Sequence, residues 1–202
     1  MTIAIIKYNA GNVQSVLYAL QRLGIDAIVT DNPEEIMNAD KVIFPGVGNA
    51  ASAMRYLRKD NLDKLIVSLK QPVLGICLGL QLMCNASEEG NTECLGIFNV
   101  DVKKFDNLNV KNHFASFKIP HMGWNNIYDL RSKLFKDVRE NAYVYFVHSY
   151  YAALSQHTIA TTNYILPFSA AMHRDNFYGV QFHSEKSADA GVQIISNFLN
   201  LV

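Results

Sequence analysis

The apolar positions of this chain fall into short runs separated by polar, helix-spaced segments. Thr2 to Lys7 is brief, apolar and closed by Tyr8-Asn9-Ala10-Gly11-Asn12, the pattern of a buried strand. Val13, Val16, Leu17, Leu20 and Leu23 then recur at helical spacing, with Gly24 as a stop. Ile25 to Thr30 reads as a second strand, and Asn32-Pro33-Glu34-Glu35 as a helix start, with proline in the first turn and acids near the positive end of the dipole. Lys41 to Phe44 is a third strand, closed by Pro45-Gly46-Val47-Gly48, and a helical stretch follows to about Leu69. Pro72 to Ile76 is a fourth strand, and Leu78 to Asn85 begins another helix. Strands alternating with helices in this way predict an α/β fold with a parallel sheet and helical crossovers.

The second half changes character. Gly96 to Phe105, Ala142 to Ala152, Thr158 to Tyr164 and Phe168 to Phe182 are rich in β-branched and aromatic residues, which predicts antiparallel strands added to the α/β core. Ala188 to Leu199 closes the chain as a helix, with Val192, Ile195 and Leu199 on one stripe.

Composition bounds the rest. The chain has 202 residues, half of them hydrophobic, without repeats or linkers, so residues 1–202 are expected to form a single domain. Eighteen basic residues balance eighteen acidic ones, which removes any charge argument for nucleic acid or an anionic membrane. No apolar run approaches the roughly 20 residues that span a bilayer, and the start shows no secretion signal. The three cysteines, Cys77, Cys84 and Cys94, fit neither a disulfide framework nor a zinc motif, and a reducing cytoplasm is the expected location. No metal or cofactor is expected.

Two segments carry the chemistry. In Val73-Leu74-Gly75-Ile76-Cys77-Leu78-Gly79, a cysteine ends an apolar run just before helical sequence, with a glycine two residues to either side. That is the pattern of a nucleophile on a sharp strand-to-helix turn, where neighbouring residues carry no bulk and a helix N-terminus favours a thiolate. Cys84 and Cys94 lack such glycines and read as structural. In Gln181-Phe182-His183-Ser184-Glu185, a histidine and a glutamate stand two apart; on one strand they would project together as a base and the acid that orients it. The acid follows the histidine, unlike the usual order of α/β-hydrolases. Acyl transfer also needs donors for the developing oxyanion. The backbone N–H of Leu78 is one candidate, and the Val47–Gly48 segment is the other. Glycines on both sides of Val47 are expected to let its peptide rotate, which would make this loop a switch. The loop matches neither a GxGxxG nor a P-loop lysine pattern.

These segments, together with Pro120-His121-Met122-Gly123-Trp124-Asn125, His148-Ser149-Tyr150-Tyr151 and His183-Ser184-Glu185-Lys186-Ser187, resemble the class I glutamine amidotransferases over essentially the whole chain. Within that family they resemble most the glutaminase branch of histidine biosynthesis. The resemblance implies a three-layer fold with a mostly parallel central sheet flanked by helices, and hydrolysis of glutamine to glutamate and ammonia. It implies Cys77, His183 and Glu185 as a triad, with Val47, Gly48 and Leu78 as the oxyanion hole. Gly48, Gln81, Glu89, Ser149 and Tyr150 would bind glutamine. The partner would be a β/α-barrel cyclase in a heterodimer, with Asn12, Trp124, Tyr145 and Lys186 near the interface. Gln81 lies four residues after Cys77, on one helix face with it. Lys7, Ser184 and Cys94 stand where the family often has aspartate, proline and glycine. The residues alone leave three other readings open: a related glutaminase serving a different synthase, an inactive regulatory scaffold, and a cysteine peptidase or esterase.

Overall fold

The computed structural model describes residues 1–9, 11–106 and 117–202, so Ala10 of the Tyr8–Asn12 segment lies outside the described residues. Strands β1 (Ile3–Ile6), β2 (Ala27–Thr30), β3 (Lys41–Gly46) and β4 (Val73–Cys77) are interleaved with helices α1 (Val13–Arg22), α2 (Pro33–Asn38), α3 (Ala50–Lys59), α4 (Leu62–Ser68) and α5 (Leu78–Leu82). There follow β5 (Ala86–Ser87), β6 (Thr92–Glu93), β7 (Asp101–Lys104), β8 (His121–Ile127), β9 (Ala142–His148), β10 (Tyr150–Ala152), β11 (Thr158–Tyr164), β12 (Leu166–Arg174), β13 (Phe177–Val180) and α6 (Ala188–Leu201).

Seven strands form the main sheet in the order β11-β12-β13-β4-β3-β1-β2. The five from β13 to β2 run parallel, and β12 and β11 extend the edge antiparallel. Side chains alternate between two cores. Ile3 and Ile5 of β1, with Ile43 of β3, face a core shared with Val16 and Leu20 of α1 and Ile194 and Phe198 of α6. Ala4, Ile6, Val42 and Phe44 face the other, with Ile36, Met54, Leu57 and Ile66 of α2, α3 and α4. Each of these large side chains, taken fully out of water, contributes roughly 1.5–3 kcal/mol. The result is the three-layer arrangement expected, with the strand ends of β3, β4 and β13 side by side at its centre.

Several boundaries differ from the sequence reading, each for a local reason. Strand β3 runs on through Pro45 and Gly46, because Pro45 and Gly46 pair with Ile76 and Cys77 of β4. The helical stretch to Leu69 is two helices, broken where Asn61 takes a left-handed φ of 55°. Helix α5 stops at Leu82 rather than Asn85, because the carbonyls of Leu82, Met83 and Cys84 accept from the N–H groups of Leu95, Phe98 and Gly96 at 2.8–2.9 Å. That same tie holds Gly96–Val100 out of β7. The 168–182 stretch is a β12–β13 hairpin that turns at Asp175, with φ 54°. Strand β8 is not predicted by the pattern of apolar positions. In α6 the buried face is Gly191, Ile194, Ile195, Phe198 and Leu199, while Val192 is 38% exposed. Gly191 lies so close to Ser184 that an added Cβ would stand 1.9 Å from its carbonyl oxygen, which turns that side of the helix inward and Val192 out.

Candidate active site

Cys77 ends β4, between β3 and β13. Its backbone has φ 54° and ψ −105°, a conformation that costs an L-residue about 1–3 kcal/mol and persists only where the surroundings dictate it. The flanking glycines supply that dictation. A Cβ on Gly79 would stand 1.9 Å from the Phe44 carbonyl oxygen, and one on Gly75 2.8 Å from the Gly79 carbonyl carbon. Only glycine lets α5 start this tightly against the sheet. The Cys77 side chain is nearly buried, with its sulfur 3.9 Å from the Val147 carbonyl oxygen and 3.7 Å from the Gln181 side-chain amide nitrogen.

Parallel pairing of Gly179 and Val180 with Gly75 and Ile76 brings the chain after β13 beside Cys77. The expected pairing of His183 and Glu185 is present, but not by strand alternation. Strand β13 ends at Val180, and Glu185 lies in a 3-10 turn, Ser184–Lys186, that folds its side chain back. His183 Nδ1 stands 2.7 Å from Glu185 Oε1, with both side chains essentially excluded from water. A carboxylate only accepts, so Nδ1 carries the proton and donates it. The His183 N–H donates to the Tyr145 carbonyl at 2.9 Å, and Ser187 Oγ donates to the His183 carbonyl at 2.6 Å, which fixes the ring's base. Nε2 is buried without a protein hydrogen-bond partner of normal geometry. Burial pulls the imidazole pKa down, but Cys77 and Glu185 outweigh it and raise the value to about 10.

A pocket of about 430 Å³ opens onto Cys77 and is lined also by Val47, Gly48, Leu78, Gln81, Glu89, Ser149 and Tyr150, so every oxyanion and substrate candidate from the sequence meets in one cavity. Leu78 is the first residue of α5, so its N–H has no partner within the helix. The freedom expected around Val47 is one-sided. Gly46 is held in the ladder opposite Cys77, and the Tyr8 hydroxyl fills the space beside it, 2.3 Å from where a Cβ would be. Gly48, by contrast, sits at φ +120° with no neighbour within 4 Å of where a Cβ would be. Tyr8 Oη donates to the Pro45 carbonyl at 2.7 Å and so pins the end of β3; burial, then the nearby Cys77, raises its pKa and keeps the phenol protonated. Gln81 is buried rather than solvent-facing, and Glu89 already accepts from the Ala50 N–H at 2.7 Å, capping α3.

Of the four interface candidates, three are at the surface beside the site. Trp124 and Tyr145 face each other across β8 and β9 with ring centroids 6.0 Å apart, next to exposed Met122 and Tyr143, and Lys186 is exposed. Asn12 is different. Its side-chain amide donates to Glu185 Oε1, in a very short contact, and lies 3.3 Å from His183 Nδ1. Because Nδ1 is itself a donor, the bond that counts is the one to the carboxylate. Sequence reasoning missed this role, and those of Tyr8 and Gln181; the signal available was that all three lie in the motif segments that carry the resemblance.

Cys84 and Cys94 are free thiols. Burial raises both pKa values, that of Cys94 to about 12, so neither offers a thiolate. Among the described residues, no group of three or more His, Cys, Asp or Glu side chains is arranged to hold a metal, and no helix is long and apolar enough to cross a membrane.

The profile of the glutamine amidotransferase class-I family matches residues 4–201. The imidazole glycerol phosphate synthase subunit HisH of Bacteroides fragilis strain YCH46 is 57% identical over 201 residues, covering 100% of both chains. The protein of that name from Yersinia pseudotuberculosis is 44% identical over 203 residues, again covering 100% of both. Among solved structures, PurLQS from Thermotoga maritima superimposes with a TM-score of 0.68 at 14% identity, covering 98% of this chain and 97% of that one. A glutamine amidotransferase from the same organism gives 0.62 at 16% identity, covering 99% and 83%. These structural likenesses speak for the fold.

Proposed function

Because the chain belongs to the class I glutamine amidotransferases, on the branch of the imidazole glycerol phosphate synthase HisH subunits, we propose that it is the glutaminase subunit of such a synthase. The observation that carries the reading is the convergence of Cys77, the His183–Glu185 pair and one small pocket.

The Cys77 thiolate attacks the glutamine side-chain carbonyl, and the oxyanion is received by the N–H of Leu78 and an N–H of the Val47–Gly48 segment. His183 gives its Nε2 proton to the departing nitrogen, the C–N bond breaks, and ammonia leaves a glutamyl thioester on Cys77. His183, now neutral, takes a proton from water as the water attacks the thioester. Collapse releases glutamate and restores the thiolate–imidazolium pair. Glu185 holds the ring in the correct tautomer throughout. Gln81, Glu89, Ser149 and Tyr150 are suitably placed to bind the substrate's amino-acid end.

The ammonia passes to a β/α-barrel cyclase, which uses it to close the imidazole ring, forming imidazole glycerol phosphate and an aminoimidazole carboxamide ribotide. Residues 1–202 act as one domain, docked in a cytoplasmic heterodimer through a surface of exposed Trp124 and Lys186 with the half-buried Tyr145 and Asn12. A pocket of amino-acid size supports this reading over a peptidase, and intact triad chemistry supports it over an idle scaffold.

The test measures glutamine turnover by the chain alone, with the cyclase, and with the cyclase carrying its nucleotide substrate. Turnover slow alone and strongly raised in the full complex is the expected result; equal turnover in all three contradicts it.

A further inference from the structure

Resting on that reading, we infer that Gln181 is a hydrogen-bond donor to the Cys77 sulfur that favours its thiolate, and that a chain of buried groups behind it fixes the amide in the donating orientation. Gln181 is fully buried, with Nε2 3.7 Å from Cys77 Sγ. The amide itself is shut off from solvent, so protein groups set which way it faces the sulfur.

An amide can face either way, and here the choice is dictated. The Tyr150 carbonyl only accepts, so the Gln81 amide must turn Nε2 towards it, at 2.8 Å. The same Gln81 Nε2 has a second hydrogen, which goes to Gln181 Oε1 at 3.0 Å. With its oxygen committed, Gln181 can only present N–H to the sulfur. The Tyr150 carbonyl is held in turn. His148 Nδ1 lies 2.8 Å from it and must be the protonated nitrogen, which leaves Nε2 as an acceptor for His121 Nδ1–H at 3.0 Å. His121 Nε2 then accepts from the Asn125 side chain at 3.4 Å. The Tyr150 carbonyl thus accepts from both sides, from His148 and from Gln81, and both histidines are neutral, their pKa values pulled down by burial to about 4 for His121 and about 3 for His148.

On its other side the sulfur meets the Val147 carbonyl, which can only accept. Protonated, Cys77 donates there; ionised, it accepts from Gln181. The donor therefore weighs against the carbonyl, and its removal shifts the balance towards the unreactive thiol. The titratable groups around this centre are His183, Glu185, Tyr8 and His148, with Glu89 and Tyr150 across the pocket. Of these, His148 stays neutral above pH 5 and Tyr8 stays protonated, so neither moves an alkylation curve read from pH 5 to 9.

The test follows carbamidomethylation of Cys77 by iodoacetamide from pH 5 to 9, read by mass spectrometry on the Cys77 peptide of full-length Gln181→Met and Gln181→Glu. The methionine variant is expected to react about tenfold more slowly at pH 7, the scale of one hydrogen bond to a charged group. The midpoint of its pH–rate curve moves to higher pH. The glutamate variant keeps the shape and slows the reaction further, because a carboxylate beside the sulfur repels a thiolate. Gln81→Met frees the Gln181 amide to turn and gives an intermediate loss, which serves should Gln181→Met fail to fold. A merely structural role would leave these curves in place. Unchanged curves in folded Gln181→Glu and Gln81→Met overturn the inference whatever the glutaminase activity. Absence of glutamine turnover by the wild-type complex would instead overturn the functional reading, and the thiol curves would still decide the role of Gln181.

Discussion

The Asn12 side-chain amide donates to the same Glu185 oxygen that receives the His183 ring N–H. A residue just before α1 thus steadies a carboxylate near the other end of the chain. Asn12 sits at φ 76°, where glycine is tolerated and most side chains are strained. Asn12→Gly therefore removes the hydrogen bond without straining the backbone. It is expected to lower kcat for glutamine about tenfold with little change in KM, since it loosens the acid that orients the base. Steady-state kinetics of the complex check this; wild-type kcat would show the contact to be idle.

Glu185→Gln is expected to be milder than His183→Ala. In the proposed mechanism Glu185 orients and stabilises the imidazolium, whereas His183 moves the proton. The two variants are compared at saturating partner. A Glu185→Gln enzyme as inactive as His183→Ala would contradict the division of roles.

His183 gives a pH prediction with a definite sign. Its folded value of about 10 lies above the ordinary histidine value, which is roughly 6.5 in the unfolded chain. The native state binds the proton more tightly, so the stabilisation is complete below about pH 6.5 and fades as the pH rises towards 10. In denaturant titrations, the stability gap between wild type and His183→Gln should narrow from pH 6.5 to 10. In the proposed mechanism the same protonated ring is the acid that releases ammonia, so the alkaline limb of the glutaminase profile should fall near pH 10. A limb near pH 7 would place the proton elsewhere.

Gly79→Ala tests the elbow. The added methyl group would overlap the Phe44 carbonyl oxygen at 1.9 Å, so α5 must back away from β3. Overpacking of this kind costs roughly 1–3 kcal/mol and moves Leu78 relative to Cys77. Urea unfolding should show that loss, with glutaminase activity reduced at temperatures where the variant remains folded. Unaltered stability would mean that the turn is not as tight as described.

How much of this was legible in the residues varies with the physics involved. Strands β1, β3 and β4 were readable because they are buried on both faces and bounded by polar turns; β2, at the sheet edge with Ile28 exposed, was readable from its β-branched run. The Cys77 turn was readable because glycines two residues to either side of a cysteine, at the end of an apolar run, suit a tight strand-to-helix turn and little else. His183 and Glu185 were correctly paired for an incorrect reason, since a strand and a 3-10 turn can both bring residues two apart together. Strand β8 was hidden because His121, Gly123 and two asparagines break its alternation, and Trp124 and Met122 are outside the core. The roles of Asn12 and Gln181 depend on which amide faces which acceptor, and no periodicity encodes that.

The central claim is that Cys77 attacks the side-chain amide of glutamine. The most direct measurement incubates the complex with a glutamine analogue bearing an electrophilic diazoketone, then reads intact mass and the modified peptide beside glutamine turnover. The account predicts one adduct per chain, on Cys77, protection by glutamine, and loss of turnover in step with labelling. It also predicts that Cys77→Ala is unlabelled and loses glutamine hydrolysis by several orders of magnitude, yet still binds the cyclase and supports its reaction with added ammonia. Near-normal glutaminase activity in Cys77→Ala, or stoichiometric labelling at Cys84 or Cys94 instead, would contradict it.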